Sequence, residues 1–305
     1  MFKRIILLLC IFSLISCKKE EKKDGWDDTM TTGLIRIACD ENFKVFMDGA
    51  IRVFEARNPG AVILPIYTTE IDAIRLLTED SVRFALVTRD LNSVEEQALQ
   101  KNAMKRRKNL IGFEGIALIA NHANENLSIN LPTLEKIVKG EITEWSQIDP
   151  KSSLGAIRVL FDNKESGVLR YVADSIAQQK TLTSSNLYAL NSELEVLDKI
   201  AEMPNALGFV SANLYNDPIF LNYQNKIELV RVNGYLPYAG DIVQESYPLW
   251  RPVLALLSDP RSGLSSGFSL FLSREIGQMI IMKYGLLPVT DPQNRDVMIN
   301  NNFPI

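Results

Sequence analysis

From Gly33 onward the apolar residues alternate between two patterns: short continuous runs, and segments in which they recur every three or four positions. Residues 34–38 read as a β-strand, and Phe43, Phe46, Met47, Ala50, Ile51 and Phe54 form one face of a helix that Asn58-Pro59-Gly60 ends. Residues 61–67 make a second strand, 71–77 a second helix and 84–87 a third strand. This alternation predicts an α/β fold with a parallel sheet and crossover helices. Ligands of such sheets sit at the carboxyl ends of the strands. Two loops meet that description: Cys39-Asp40-Glu41-Asn42 and Thr88-Arg89-Asp90. Ser93 and Glu96 have capping-box spacing, so the next helix is assigned to begin at Ser93, leaving Thr88 and Arg89 to face a cleft.

The second half continues in kind. Residues 115–120 form a strongly apolar strand, 131–139 a short amphipathic helix ending at Gly140, and Trp145 follows in a turn. Further strands are expected at 157–161, 206–210 and 251–257, with a helix at 193–201. One long closing helix is expected from about 265 to 284, capped by Gly285 and stopped by Pro288. The tyrosines and tryptophans between 215 and 250 read as hinge and interdomain packing, and no internal repeat interrupts the pattern.

The stretch Phe161 to Tyr171, FDNKESGVLRY, carries the most chemistry. It joins a buried strand to a helix whose apolar positions are Val168, Leu169, Val172, Ala173, Ile176 and Ala177, so Ser166 and Gly167 sit at the helix start. Free backbone N–H groups and the helix dipole favour an anion there. Gly167 permits close approach, Ser166 adds a hydroxyl, and Lys164 and Arg170 add positive charge. The competing reading is that Ser166 serves only as an N-cap.

Composition narrows the function classes. The 305 residues carry 33 basic and 37 acidic side chains, so nucleic acid is not an expected partner, and the basic run Lys105-Arg106-Arg107-Lys108 reads as a solvated surface turn. The single histidine, His122, has no Ser or Cys elbow motif beside it, and Cys/His metal-ligand spacing is absent, so neither an enzyme nor a metal or other cofactor is predicted. At the start, Lys3 and Arg4 precede an apolar stretch over 5–15 that is too short for a permanent membrane span, and Leu14-Ile15-Ser16-Cys17 has lipobox form. Resemblance to bacterial lipoproteins implies a signal peptide over 1–16 and a lipid on the Cys17 thiol. Residues 17–32 then form a charged tether, KKEEKKD being unable to bury apolar surface. Cys10 leaves with the signal and Cys17 is lipidated, so Cys39 has no disulfide partner in the mature chain. Lys19-Glu20-Glu21 also resembles the lysine-plus-acidic signal by which some Gram-negative lineages send lipoproteins to the cell surface, although a solvated tether contains such a triplet readily.

Several blocks, in order, resemble the signatures of phosphate-binding periplasmic proteins of ABC transporters: Gly115-Ile116-Ala117-Leu118-Ile119-Ala120-Asn121, Leu134-Glu135-Lys136-Ile137, Gly140-Glu141-Ile142-Thr143-Glu144-Trp145, Ser166-Gly167 and Asn205-Ala206-Leu207-Gly208-Phe209-Val210. The likeness runs from about Gly33 to Val289. It implies a two-lobed type II periplasmic binding protein with two crossing strands, placed near 117–121 and 248–253. Lobe 1 would comprise 33–120 plus 248–305, and lobe 2 residues 121–247. It also implies an oxyanion gripped by Asp40, Asn42 and Phe43 in the first loop, Thr88 and Arg89 in the second, and Ser166 and Gly167, with Lys164 nearby. Asp162 stands where the family has arginine and Val168 where it has threonine, which replaces a planar donor fork by an acceptor. The leading expectation is a lipid-anchored, extracytoplasmic solute-binding protein. It would capture phosphate or a related oxyanion by lobe closure and hand it to a membrane permease or, from the surface, to an outer-membrane or energy-coupling complex. The alternative is an envelope interaction or scaffold protein on the same fold that has lost or changed its ligand.

Overall fold

A computed structural model describes residues 28–124, 126–258 and 262–290. The export signal, Cys17 and the tether through residue 27 lie outside the described residues. Lobe 1 opens with β1 (Gly33–Asp40), a single 3-10 turn, α1 (Lys44–Arg57), β2 (Ala61–Thr68), α2 (Glu70–Thr78), β3 (Phe84–Val87) and α3 (Ser93–Lys101). β4 (Arg107–Asn121) leads into lobe 2. There follow β5 (Ser128–Ile129), α4 (Leu131–Lys139), β6 (Arg158–Phe161), α5 (Gly167–Tyr171) with a π-helical turn over Val172–Ile176, β7 (Leu187–Ala189), α6 (Glu193–Glu202), β8 (Ala206–Ser211), β9 (Ile227–Leu229), β10 (Arg231–Val232) and α7 (Ala239–Val243). β11 (Trp250–Leu257) returns to lobe 1, which ends with α8 (Leu264–Leu272), α9 (Glu275–Lys283) and β12 (Leu287–Pro288).

Ten strands form one continuous sheet in the order β2-β1-β3-β11-β4-β8-β6-β7, with β9 and β12 also paired to β4. β1, β2 and β3 are parallel, as are β6, β7 and β8, which is what the helical crossovers require. The 15-residue β4 is the spine. Its first part pairs with β11 up to Gly115↔Trp250, and from Ile116 it pairs with β8. Residues 117–120, where the sequence placed the first crossing, therefore pair with β8 of lobe 2. Aromatic residues brace this crossing: Tyr247 donates to the Ile116 carbonyl at 2.7 Å, Tyr171 Oη accepts from Trp250 N at 3.2 Å, and Phe113 meets the Trp250 ring edge-on at 5.5 Å.

Each lobe covers both faces of its sheet, and so the central strands β3 and β8 are buried along their whole length, while β1 still alternates at its start. In lobe 1, Phe43, Phe46, Met47 and Phe54 pack with Phe84 and Phe268 on one side, and Ile74 and Leu77 with Val87 and Leu256 on the other. In lobe 2, Leu134, Ile137 and Trp145 lie on one side with Phe161 stacked on Phe209 at 5.2 Å, and Val196, Leu197 and Ile200 lie on the other.

Three sequence expectations are corrected. The long closing helix is broken: Arg274 is extended (φ −98°, ψ 170°), and a Cβ on Gly277 would lie 2.3 Å from the Phe271 carbonyl oxygen, so α9 folds back onto the last turn of α8. Buried Gln278 holds the corner by donating to Leu272 O at 2.8 Å and Ile111 O at 2.9 Å. The basic run at 105–108 is the entry to β4, where Arg106 and Lys108 pair with Asp90 and Arg106 with Glu96. The α3 capping box uses Asn92 and Glu95, one residue before the pair read from the sequence.

Candidate functional site

The carboxyl ends of β1, β3 and β6 converge where the lobes meet, and the crossing strands pass beneath them. Opposite each other in the β4–β11 register stand Glu114 and Arg251, two charges in the buried part of these strands. Both are buried, Arg251 at 1% exposure. Arg251 Nε donates to Glu114 Oε2 at 2.7 Å, and Glu114 Oε1 accepts the Ser211 hydroxyl. The terminal nitrogens Nη1 and Nη2 have no hydrogen-bond partner among the described residues. Unmatched donors on a buried cation are costly, and an acceptor supplied from outside the chain removes the cost. The cleft residues gather around Gly167: the Cβ it lacks would lie 2.7 Å from Arg251 Nη1, 3.0 Å from Asp40 Oδ2 and 3.4 Å from Thr88 Oγ1. A Cβ at that position would crowd Arg251 and Asp40.

Acceptors surround this fork. Asp40 ends β1 and accepts Asn42 N at 3.2 Å through Oδ1, while Oδ2 has no partner among the described residues. Burial pushes its carboxyl up to about 7, with Arg251 pulling the other way. Asp162 follows β6; its Oδ2 accepts Asn42 Nδ2 at 3.4 Å and its Oδ1 is likewise unmatched among the described residues. Burial raises it too, against hydrogen bonds from Ser166, Asn163 and Asn42. Desolvation raises Glu114, and it lifts Glu193 well above the usual carboxylate range. Glu70, the first residue of α2, behaves differently. Burial works to raise it, but Arg170, Arg251 and two bonds from Thr88 outweigh burial and hold it low.

That difference comes from a contact between the lobes. Glu70 Oε1 accepts Thr88 N at 2.7 Å and the Thr88 hydroxyl at 2.5 Å, while Arg170 of α5 donates from Nε to Glu70 Oε2 at 2.6 Å and from Nη2 to Thr88 Oγ1 at 3.1 Å. Longer bonds reinforce the closure: Thr69 Oγ1 to Glu165 at 3.4 Å, and Asn213 Nδ2 to Asn42 O at 3.3 Å. The lobes are thus closed onto each other around a carboxylate-rich centre with one central guanidinium.

Of the residues expected at the site, Asp40, Thr88, Ser166 and Gly167 come together, and Asn42 bridges the lobes. Ser166 Oγ accepts Val168 N at 3.1 Å and Leu169 N at 3.0 Å, so it does cap α5. The other three are placed elsewhere. Phe43 is fully buried in the core of lobe 1. Lys164 is exposed. Arg89 is committed to Glu95 through two 2.7 Å bonds, because the shifted capping box puts that carboxylate beside it; its Nε lies 3.8 Å from Glu70. The sequence reading missed Arg251, Glu114 and Glu70. The first two had a signal: each is a lone charge bordering an apolar run at a predicted crossing, and buried charges of opposite sign must find each other. Glu70 had none, since an acidic residue in a first helical turn is ordinary on a surface.

Among the described residues no group of three or more His, Cys, Asp or Glu side chains could hold a metal ion, and no helix is long and apolar enough to cross a membrane. Residues 27–275 match the family model described as the PBP superfamily domain. The chain belongs to the PBP superfamily. Its fold is the type II periplasmic binding fold, and the family is one of binding proteins rather than enzymes. No curated protein sequence matches the chain. Among solved structures, it is similar to a Clostridium perfringens protein assigned as a phosphate ABC transporter substrate-binding protein, with bound phosphate, at 23% identity and a TM-score of 0.71 over 85% of this chain and 100% of that one. An ABC-type phosphate transport receptor from Vibrio cholerae follows at 21% identity and 0.68 over 84% and 100%. The regulatory domain of OxyR2 from Vibrio vulnificus also matches, at 11% identity and 0.52 over 80% and 94%. At these identities the likeness establishes the fold, which serves both transport and regulation, and the ligand has to be argued from the site.

Proposed function

We propose that this protein is a solute-binding protein that captures phosphate or a related protonated oxyanion between its lobes. The observation that carries this reading is the buried Arg251 fork, whose Nη1 and Nη2 lack partners among the described residues, set beside two unmatched carboxylate oxygens, Asp40 Oδ2 and Asp162 Oδ1. The fork needs acceptors and the carboxylates need donors. A hydrogen phosphate ion supplies P–O⁻ for the first and P–OH for the second, whereas sulfate at neutral pH supplies acceptors alone. The arginine that the family places at position 162 is answered from β11, and Asp162 takes over an acceptor role. Thr88 and Gly167 complete the cradle, and Asn42 and Arg170 tie the lobes over it. This matching of donors and acceptors favours a binding role over the scaffold alternative.

The lipobox at Cys17 and the charged tether support anchoring to an envelope membrane, with delivery to a permease or, if Lys19-Glu20-Glu21 directs export to the surface, to an outer-membrane energy-coupling complex. Calorimetric titration of the full chain in detergent tests the central point. Phosphate should bind with heat and sulfate should not displace it. A flat phosphate titration from a folded protein sinks the proposal.

A further inference from the structure

Beside the Arg251 centre the two lobes flank a second space, an open cavity of about 460 Å³. Lobe 1 lines it with Asn42, Phe46 and Tyr284, among others, and lobe 2 with Ser192, Glu193 and Asn213. Two of these residues also form the wall of the anion site. Asn42 reaches Asp162 through its amide, and Glu193 Oε1 accepts Ser211 N at 2.5 Å while the Ser211 hydroxyl reaches Glu114. The partition is closed by the two long bonds of Asn42, at 3.4 Å to Asp162 and 3.3 Å from Asn213, which are among the weaker contacts of the interface.

The volume is far above the ~30 Å³ share of one water molecule and falls in the range of small-molecule pockets. Its polarity differs from that of the centre. Glu41, Glu193 and Asp217 line it together with Lys44 and Lys283. Lys44 pairs with Asp48 at 3.1 Å and lies 4.3 Å from the Tyr67 ring, and Lys283 lies over the Tyr284 ring. Between apolar walls such as Val45 and Leu194, the amide oxygens of Asn42 and Asn213, whose nitrogens are spent on Asp162 and on the Asn42 carbonyl, and the carboxylates of Glu41 and Asp217 suit a group that donates hydrogen bonds. An inorganic anion held at Arg251 leaves this space unused.

We infer that the cleft takes a phosphate monoester or phosphonate whose substituent bears an amine or hydroxyl, with the anionic head at Arg251 and the substituent in the cavity between Asn42, Glu193 and Asn213. The inference rests on the oxyanion reading of the Arg251 centre, and it deepens that reading by naming the class of ligand. Val45 and Leu194 line the cavity from opposite lobes, are exposed, and take no part in the anion site. Calorimetry on the full chain with inorganic phosphate, methyl phosphate and phosphoethanolamine reads the outcome. Phosphoethanolamine should bind about tenfold or more tighter than phosphate. Val45→Trp or Leu194→Trp should remove that preference while leaving phosphate affinity within about threefold. Phosphate binding as tightly as phosphoethanolamine overturns this inference and leaves the oxyanion reading standing. Equal losses for all three ligands in both tryptophan variants, with unchanged thermal midpoints, overturn it as well. Binding of none of the three overturns both.

Discussion

Replacing Arg251 by methionine removes the two nitrogens that face the cleft and keeps an apolar stem of similar reach. Nη1 and Nη2 can each give a charge-assisted hydrogen bond to a bound oxyanion. At about 1.5–3 kcal/mol per bond, the loss is about 3–6 kcal/mol, or roughly two to four decades in Kd. The same change strands Glu114, which is fully buried with Arg251 Nε at 2.7 Å. Breaking a buried pair costs about 3–5 kcal/mol of stability, so a folding defect would imitate a binding defect. The double variant Arg251→Met with Glu114→Gln separates them, because the glutamine carbonyl still accepts the Ser211 hydroxyl and no charge is left without a partner. Urea midpoints should fall for the single variant and recover in the double, while calorimetric phosphate affinity stays lost in both. A double variant of native stability that binds phosphate within about threefold of the unaltered chain would refute the assignment of Arg251 as the anion's principal donor.

Asp40 gives a pH test. Its carboxyl is pushed up to about 7 by burial, against about 3.9 in an unfolded chain. A raised folded-state value means that its stabilising contribution is complete below about pH 4 and is lost as pH rises through about 7. Asp40→Asn has no proton to lose, so it should gain stability over the unaltered chain as pH rises through that window, and a stability difference that stays constant with pH would contradict the burial argument. Arg89→Ala should change phosphate affinity by less than about threefold, since Glu95 already occupies its fork; a loss of two decades would return Arg89 to the site. Asp28 Oδ1 accepts Leu264 N at 2.8 Å at the start of α8, so Asp28→Ala should cost about 0.5–2 kcal/mol, the range for lost caps. An unchanged thermal midpoint would show that the cap is not needed.

The local pattern settled most of the architecture. Runs of 4–8 apolar residues alternating with helical spacing gave the parallel strands and their crossovers, because a strand covered on both faces has to be apolar along its length. It also placed Asp40, Thr88, Ser166 and Gly167 at strand ends, where an open α/β sheet presents its ligands. Gly140, left-handed at φ 76°, ended α4 where the sequence put it. The break between α8 and α9 was hidden, since Gly277 and Gln278 act through contacts with Phe271, Leu272 and Ile111 that no helical periodicity records.

The charge economy of the site was decided only by the tertiary structure. Arg89 and Arg251 are both arginines beside apolar strands, yet one is neutralised locally and the other is buried with its terminal nitrogens unmatched among the described residues. Which is which depends on a one-residue shift in the α3 capping box and on the antiparallel register that sets Glu114 against Arg251. Glu70 and Arg170 are 100 residues apart and meet only when the lobes close. Periodicity along a chain reports which face of an element is apolar. It carries no record of which charges from distant elements share one dry cleft, and desolvation in that cleft sets their protonation and their chemistry.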